Sequence, residues 1–145
     1  MITRMNHTGF VVADLEKSLD FYINVMGLKL MGKSARIGAP ISQVLDYPDT
    51  HIKGGLLGLE GEDGHFLELI QYINPLSAER PTEERAVLGA SHLAFNVTDM
   101  EATFARLLEA GAKKLNSPIE TVPGRIVCYL QDPDGNWIEL LDVAE

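Results

Sequence analysis

The segment His7-Thr-Gly-Phe-Val-Val-Ala-Asp-Leu-Glu-Lys-Ser-Leu19 recurs in the second half of the chain as His92-Leu-Ala-Phe-Asn-Val-Thr-Asp-Met-Glu-Ala-Thr-Phe104. A second pair of segments matches nearer the end of each half, because Gly64-His-Phe-Leu-Glu-Leu69 resembles Gly135-Asn-Trp-Ile-Glu-Leu140. Histidine, aromatic residue, aspartate and glutamate thus appear in the same order twice. The sequence therefore predicts two copies of one structural module.

Each copy predicts the element order β-α-β-β-β. Residues 7–12 alternate as a strand, Asp14 is a suitable N-cap, and an apolar stripe ends at Gly27. The second copy predicts a strand over residues 91–97, a cap at Asp99 and a helix ending at Gly111. Further strands are predicted over residues 28–33, 53–60, 66–72, 113–116, 125–131 and 137–143, with a turn at 132–136 between the last two.

Two segments lie outside this pattern. Residues 73–89 contain Pro75, Pro81 and several charges, which predicts an exposed linker between modules at about 5–72 and 90–143. Residues 34–50 hold most of the extra length of the first module. A loop of this length indicates either a lid or binding loop, or disorder.

Composition limits the classes of function. The 145 residues suit one α+β domain, and 46% are apolar. The net charge of −9 disfavours a nucleic-acid partner and broad docking on anionic membranes. Since Cys128 is the single cysteine and no apolar stretch has the length of a membrane span, we expect a cytoplasmic protein.

The repeated histidine and glutamate are the candidate chemical groups. Alternation along the strands puts His7 and His92 on the face away from the helix of each module. Glu68 and Glu139 lie between apolar neighbours, where a carboxylate is costly unless it is paired or bound to a metal. A structural hydrogen bond would account for either histidine taken alone, and a salt bridge would account for either glutamate taken alone. The recurrence of both residue types in both copies favours a shared metal site. Two imidazoles and two carboxylates suit a divalent Zn, Ni, Co, Mn or Fe ion.

These motifs resemble the vicinal oxygen chelate superfamily, the group of the glyoxalases, bleomycin-resistance proteins and dioxygenases. The resemblance rests on the histidine-led opening of each copy and on Gln131-Asp-Pro-Asp-Gly-Asn-Trp-Ile-Glu-Leu140. It implies a glyoxalase-like fold, in which two tandem βαβββ modules form a curled mixed sheet around a metal. It also implies the ligand set His7, Glu68, His92 and Glu139.

The resemblance further implies a reaction. In glyoxalase I-like lyases and isomerases the metal chelates two neighbouring substrate oxygens, and a base moves a proton next to a carbonyl through an enediolate. Glu139 and Glu68 are the candidate bases. Glutathione use is not supported, because Val11 and Tyr72 occupy positions where bacterial glyoxalase I enzymes carry arginine and asparagine.

Other readings within the superfamily stay open. They are a methylmalonyl-coenzyme A epimerase, an iron-dependent extradiol dioxygenase, and a non-catalytic protein that sequesters an antibiotic or other ligand. In every case the expected partners are a small-molecule substrate and a second copy of the chain, as a homodimer. The candidate residues of the substrate pocket are Asn96, Phe66, Trp137 and Arg125.

Overall fold

The computed structural model describes residues 1–61 and 64–144 and separates the chain into two compact units, Met1–Glu79 and Arg80–Glu145. The strands of unit 1 are His7–Val11 (β1), Lys29–Ile37 (β2), His51–Gly58 (β3) and Phe66–Asn74 (β4). They form one mixed sheet in the order β1-β4-β3-β2. The β1–β4 pair is parallel and the other two pairs are antiparallel.

The helix of unit 1 is set by its N-cap and its apolar stripe. Helix α1 (Leu15–Asp20) begins after Asp14, whose Oδ1 accepts hydrogen bonds from the backbone N–H groups of Glu16 and Lys17. It continues as a π-helical turn, Phe21–Val25, and the chain leaves it at Gly27 with φ of +86°. Leu15 and Leu19 are buried toward the sheet, and the opposite sheet face carries His7.

The segment predicted as a long loop at residues 34–50 is mostly regular structure, which corrects that expectation. Strand β2 continues to Ile37 because it pairs with β3 along its whole length. A short helix, α2 (Ala39–Leu45), follows Gly38. Pro40 lies in the first turn of α2, where a missing N–H costs no hydrogen bond.

Unit 2 has a mixed sheet in the order β5-β9-β8-β6, with β7 paired to β8. Its elements are Leu93–Asn96 (β5), helix Met100–Glu109 (α3), Lys113–Lys114 (β6), Ile119–Val122 (β7), Arg125–Gln131 (β8) and Trp137–Val143 (β9). Strands β5 and β9 are parallel, as β1 and β4 are in unit 1. The side chain of Asp99 caps α3 by accepting from the Ala102 N–H.

Unit 2 also departs from the predicted order in three places. Strand β7 was not predicted, and β6 is two residues rather than four. Strand β5 starts at Leu93, so His92 precedes the strand instead of lying within it. Among the described residues, no helix combines the length and the apolar character that crossing a membrane requires.

Candidate metal centre

In unit 1 the parallel pairing of β1 and β4 brings His7 beside Glu68. The register sets His7 opposite Phe66 and Gly9 opposite Glu68, so that all four residues share one sheet face. Gly9 has no side chain to separate Glu68 from the histidine. The distance from His7 Nε2 to Glu68 Oε2 is 3.2 Å.

Unit 2 repeats this arrangement with β5 and β9. Ala94 lies opposite Glu139, again a small residue beside the carboxylate. The distance from His92 Nε2 to Glu139 Oε2 is 3.1 Å. The two glutamate side chains are 23% and 15% exposed, and the two histidines are more open. Each pair therefore combines a sheltered carboxylate with an accessible imidazole nitrogen.

The donor atoms of each pair fit a divalent cation. Asn6 Oδ1 lies 2.7 Å from His7 Nδ1, and His7 Nε2 faces the carboxylate of Glu68. His7 Nε2 and Glu68 Oε2, 3.2 Å apart, are close enough to bind one cation together. Nitrogen and oxygen ligands at about 2.1 Å from one ion stand roughly 3.0–3.4 Å apart.

Each unit supplies two candidate ligands, one histidine and one glutamate. The parts of the chain that the structure describes contain no group of three or more His, Cys, Asp or Glu side chains within a unit that is arranged to hold a metal. The two pairs are called half-site 1 (His7 and Glu68) and half-site 2 (His92 and Glu139) from here on.

Half-site 2 has a neighbour that half-site 1 lacks. Tyr129 of β8 lies opposite Glu139 in the register, and its hydroxyl is 3.3 Å from His92 Nε2. Burial, then the hydrogen bond to Glu139 and the charge of that carboxylate, raise the pKa of Tyr129, and Arg85 opposes the shift. Tyr129 therefore remains a protonated hydrogen-bond donor at neutral pH. The matching position opposite Glu68 is Leu56.

Comparison with known proteins identifies the family. The glyoxalase/bleomycin resistance protein/dioxygenase superfamily model matches residues 4–140. The chain belongs to this superfamily. A lactoylglutathione lyase of Neisseria meningitidis serogroup B is 30% identical, with 95% of this chain and 89% of that protein covered. An ethylmalonyl-CoA/methylmalonyl-CoA epimerase of Cereibacter sphaeroides is 31% identical, with 94% and 93% covered.

The superfamily fold is confirmed by a solved structure. A glyoxalase family protein from Bacillus cereus superposes with a TM-score of 0.90 and covers 100% of this chain and 97% of its own, at 22% sequence identity. The predicted superfamily and the α+β, glyoxalase-like fold class are therefore confirmed. The superfamily members with known names differ in activity, so membership alone does not assign the reaction.

The four predicted pocket residues occupy different places. Trp137, 5% exposed, lines a cavity in unit 2 together with His92 and Tyr129. Asn96 is exposed at the end of β5 and is absent from that lining. Arg125 begins β8, about 13 Å along the strand from Tyr129. Phe66 begins β4 in unit 1, opposite His7.

Three neighbours of the half-sites were not predicted from the sequence: Asn6, Tyr129 and Arg85. The signal for Tyr129 was present, because residues at equal distances from the 132–136 turn face each other in the hairpin, which pairs Tyr129 with Glu139. Asn6 directly precedes the predicted strand and has no repeat counterpart, since Ser91 stands before His92. Arg85 lies in the segment predicted as an exposed linker, so the sequence did not predict its position near Tyr129.

Proposed function

We propose that the protein is a metal-dependent lyase or isomerase of the glyoxalase I-like type, with His7, Glu68, His92 and Glu139 as ligands of one divalent ion. The observation that supports it best is the same imidazole–carboxylate pair, 3.2 Å and 3.1 Å apart, at matching positions of two units. Together the two pairs offer one ion two imidazole and two carboxylate ligands, a donor set that suits a divalent metal.

The bound ion would supply Lewis acidity toward two neighbouring oxygens of a small substrate. The protein contributes ligand orientation, since Asn6 fixes the ring of His7 and Tyr129 donates to Glu139. The apolar neighbours of each glutamate restrict water around the carboxylates, which strengthens their interaction with a cation or with a substrate proton.

One of the two glutamates would act as the base that removes the proton next to the substrate carbonyl. A carboxylate serves this role when it lies at the edge of the site and within hydrogen-bonding distance of the carbon-bound proton. Glu139 already accepts a hydrogen bond from Tyr129, whereas Glu68 lies opposite Leu56 and is more exposed. Substitution of each glutamate separates the two roles.

The first experiment measures metal content and turnover together. The purified protein is analysed for bound metal and assayed with 2-oxoaldehyde–thiol adducts and acyl-coenzyme A esters for product or for exchange of the substrate proton. Glu68→Gln and Glu139→Gln are compared with Glu101→Gln, an exposed control on α3. We expect the variant that lacks the base to keep its metal and to lose roughly 10²–10⁴-fold in rate. Absence of both metal and proton exchange would refute the proposal.

The same experiment separates catalysis from sequestration. A ligand-sequestering protein would bind its ligand equally well after His7→Ala and would contain little metal. The proposed enzyme instead loses metal in His7→Ala and in His92→Ala, because each substitution removes one imidazole ligand. The epimerase activity named for one relative is tested directly by the acyl-coenzyme A arm of the substrate panel.

We also propose a homodimer, and the half-sites allow the origin of the ligands to be tested. A variant without half-site 1 is mixed with a variant without half-site 2 under conditions that exchange subunits. Restored metal binding means that one site takes ligands from two chains, and no restoration assigns all four ligands to one chain. The oligomeric state itself is read from light scattering against the 15.9 kDa chain mass.

A further inference from the structure

A cavity of about 270 Å³ in unit 2 adjoins half-site 2. Its lining residues are Arg85, Ala90, Ser91, His92, Tyr129 and Trp137. His92 belongs to the proposed ligand set, and the Tyr129 hydroxyl lies 3.3 Å from its Nε2. A group bound in this cavity would therefore lie next to atoms that meet the ion in the proposed centre.

Arg85 carries the one permanent charge among these lining residues. Its guanidinium carbon lies 4.9 Å from the centroid of the Trp137 ring, a distance typical of a cation held against an aromatic face. Within unit 2, no carboxylate of the described residues pairs with Arg85 at salt-bridge distance. Packing on the indole thus orients the guanidinium while its N–H groups keep their capacity for a planar anion.

Trp137 supplies the aromatic ring on which Arg85 packs. Among the described residues, its Nε1 is the one buried side-chain nitrogen or oxygen without a hydrogen-bond partner. Because this nitrogen is buried, its N–H is not offered to a ligand in the cavity. Arg85 is therefore the donor that this cavity offers to a ligand, and its charged, planar guanidinium calls for an acceptor-rich, negatively charged group.

The matching positions beside half-site 1 are apolar. Leu56 stands where Tyr129 stands in unit 2, and Phe66 stands where Trp137 stands. The two units repeat the candidate metal ligands but not the donors around them. Recognition of a polar substrate group is therefore assigned to unit 2.

We infer that the cavity beside His92 binds the carboxylate of a compact substrate, with Arg85 as its anchor on the Trp137 ring. This inference rests on the proposed function. It specifies the substrate as a small oxo- or hydroxy-carboxylate whose neighbouring oxygens would bind the ion. Arg85 is then a residue that determines specificity. The net charge of the protein is −9, so selectivity for an anionic ligand would come from this one oriented arginine.

The intrinsic fluorescence of Trp137 tests this inference, because Trp137 is the single tryptophan of the chain and lines the cavity. The full-length protein, treated with a chelator, is titrated at constant ionic strength with propionate, with uncharged propionamide and with inorganic phosphate. Arg85→Gln is compared with Arg106→Gln, which removes an exposed arginine of α3 in the same unit. Thermal unfolding checks that both variants are folded.

We expect saturable propionate binding in the millimolar range, as a ligand of this size allows, and no response to propionamide. Arg85→Gln should weaken propionate binding at least tenfold, and Arg106→Gln should leave it unchanged. Equal affinity in the wild type and Arg85→Gln, or an equal response to propionamide, would overturn the inference. Tighter binding of phosphate than of propionate would also overturn it, because the anchored group would then be a phosphoryl group.

The readout keeps this inference separable from the proposed function. Titration of the chelator-treated protein requires neither metal nor turnover. If propionate does not bind, Arg85 is not a carboxylate anchor, and the result of the metal analysis is unaffected. A protein that binds propionate through Arg85 but holds no metal would retain the anchor and lose the proposed reaction.

Discussion

Asn6 shows how one side chain outside the candidate ligand set tunes half-site 1. Its Oδ1 lies 2.7 Å from His7 Nδ1, a contact that holds the ring with Nε2 toward Glu68. Partners of this kind typically contribute ten- to a hundredfold to the metal affinity of a histidine. We expect Asn6→Ala to weaken metal binding by about tenfold or more, measured by competition with a chelating dye.

The controls for this prediction come from the same unit. Asn6→Asp keeps an acceptor oxygen next to Nδ1 and should retain most of the affinity. Asn24→Ala removes an exposed side chain whose amide donates to Asp20, and it should change nothing at the site. An affinity unaffected by Asn6→Ala would mean that His7 is oriented by other contacts.

Cys128 is a second residue whose surroundings decide its chemistry. Its side chain is fully buried, with Sγ 3.6 Å from Met100 Sδ, and burial raises its pKa to about 11. The reactive thiolate appears only as the pH approaches that value, so at pH 8 about one thiol in a thousand is ionised. We expect a disulfide reagent at pH 8 to leave the native thiol unmodified and to react stoichiometrically in urea. Rapid labelling of the native protein would contradict the burial.

At the scale of elements, the contact between α1 and β3 depends on a glycine. A Cβ on Gly55 would lie 2.9 Å from Leu19 Cδ2 and 3.6 Å from Leu15 Cδ1, both buried residues of α1. A methyl group there forces the helix or its leucines to shift, so Gly55→Ala should lower the free energy of unfolding by about 1–3 kcal/mol. Urea unfolding measures the difference.

Gly32 provides the matched control within the same sheet. A Cβ at that position meets no atom of the described residues within 4 Å. Gly32→Ala should therefore be neutral or stabilising by up to about 1 kcal/mol, because it reduces the freedom of the unfolded chain. If both variants unfold at the same urea concentration, the close approach of α1 to β3 does not limit stability.

The elements also show what the sequence could predict. Strands β8 and β9 match their predicted bounds because Asp132 closes the turn between them, accepting from the N–H groups of Asp134 and Asn136. Helix α2 was missed because Gly38 and Pro40 suggested a loop. Both residues in fact start the helix, Gly38 with φ of +87° and Pro40 in the first turn.

At the scale of the whole chain, the repeat predicted the two His–Glu pairs but not their surroundings. Repetition marks what both modules share, and the strand register then brings each histidine to its glutamate. Tyr129, Arg85 and Asn6 differ between the modules, so no internal comparison could select them. Their positions depend on cross-strand register and on the path of the segment before His92, which are tertiary features.

Because each unit provides two candidate ligands, metal binding at full strength should require both half-sites. An ion that binds only the folded protein, at a hundred times its Kd, adds about 2.7 kcal/mol of stability. For a chain of this size the midpoint of thermal unfolding should rise by roughly 10 °C. His7→Ala and His92→Ala should each abolish most of this rise, whereas His51→Ala, a histidine of β3 outside both half-sites, should preserve it. The measurement is differential scanning fluorimetry with and without added Zn²⁺, Ni²⁺, Co²⁺ or Mn²⁺. If the rise in the unfolding midpoint persists in both His7→Ala and His92→Ala, the ion binds elsewhere and the proposed centre is wrong. If the rise is lost in only one of these variants, the ion binds at that half-site alone.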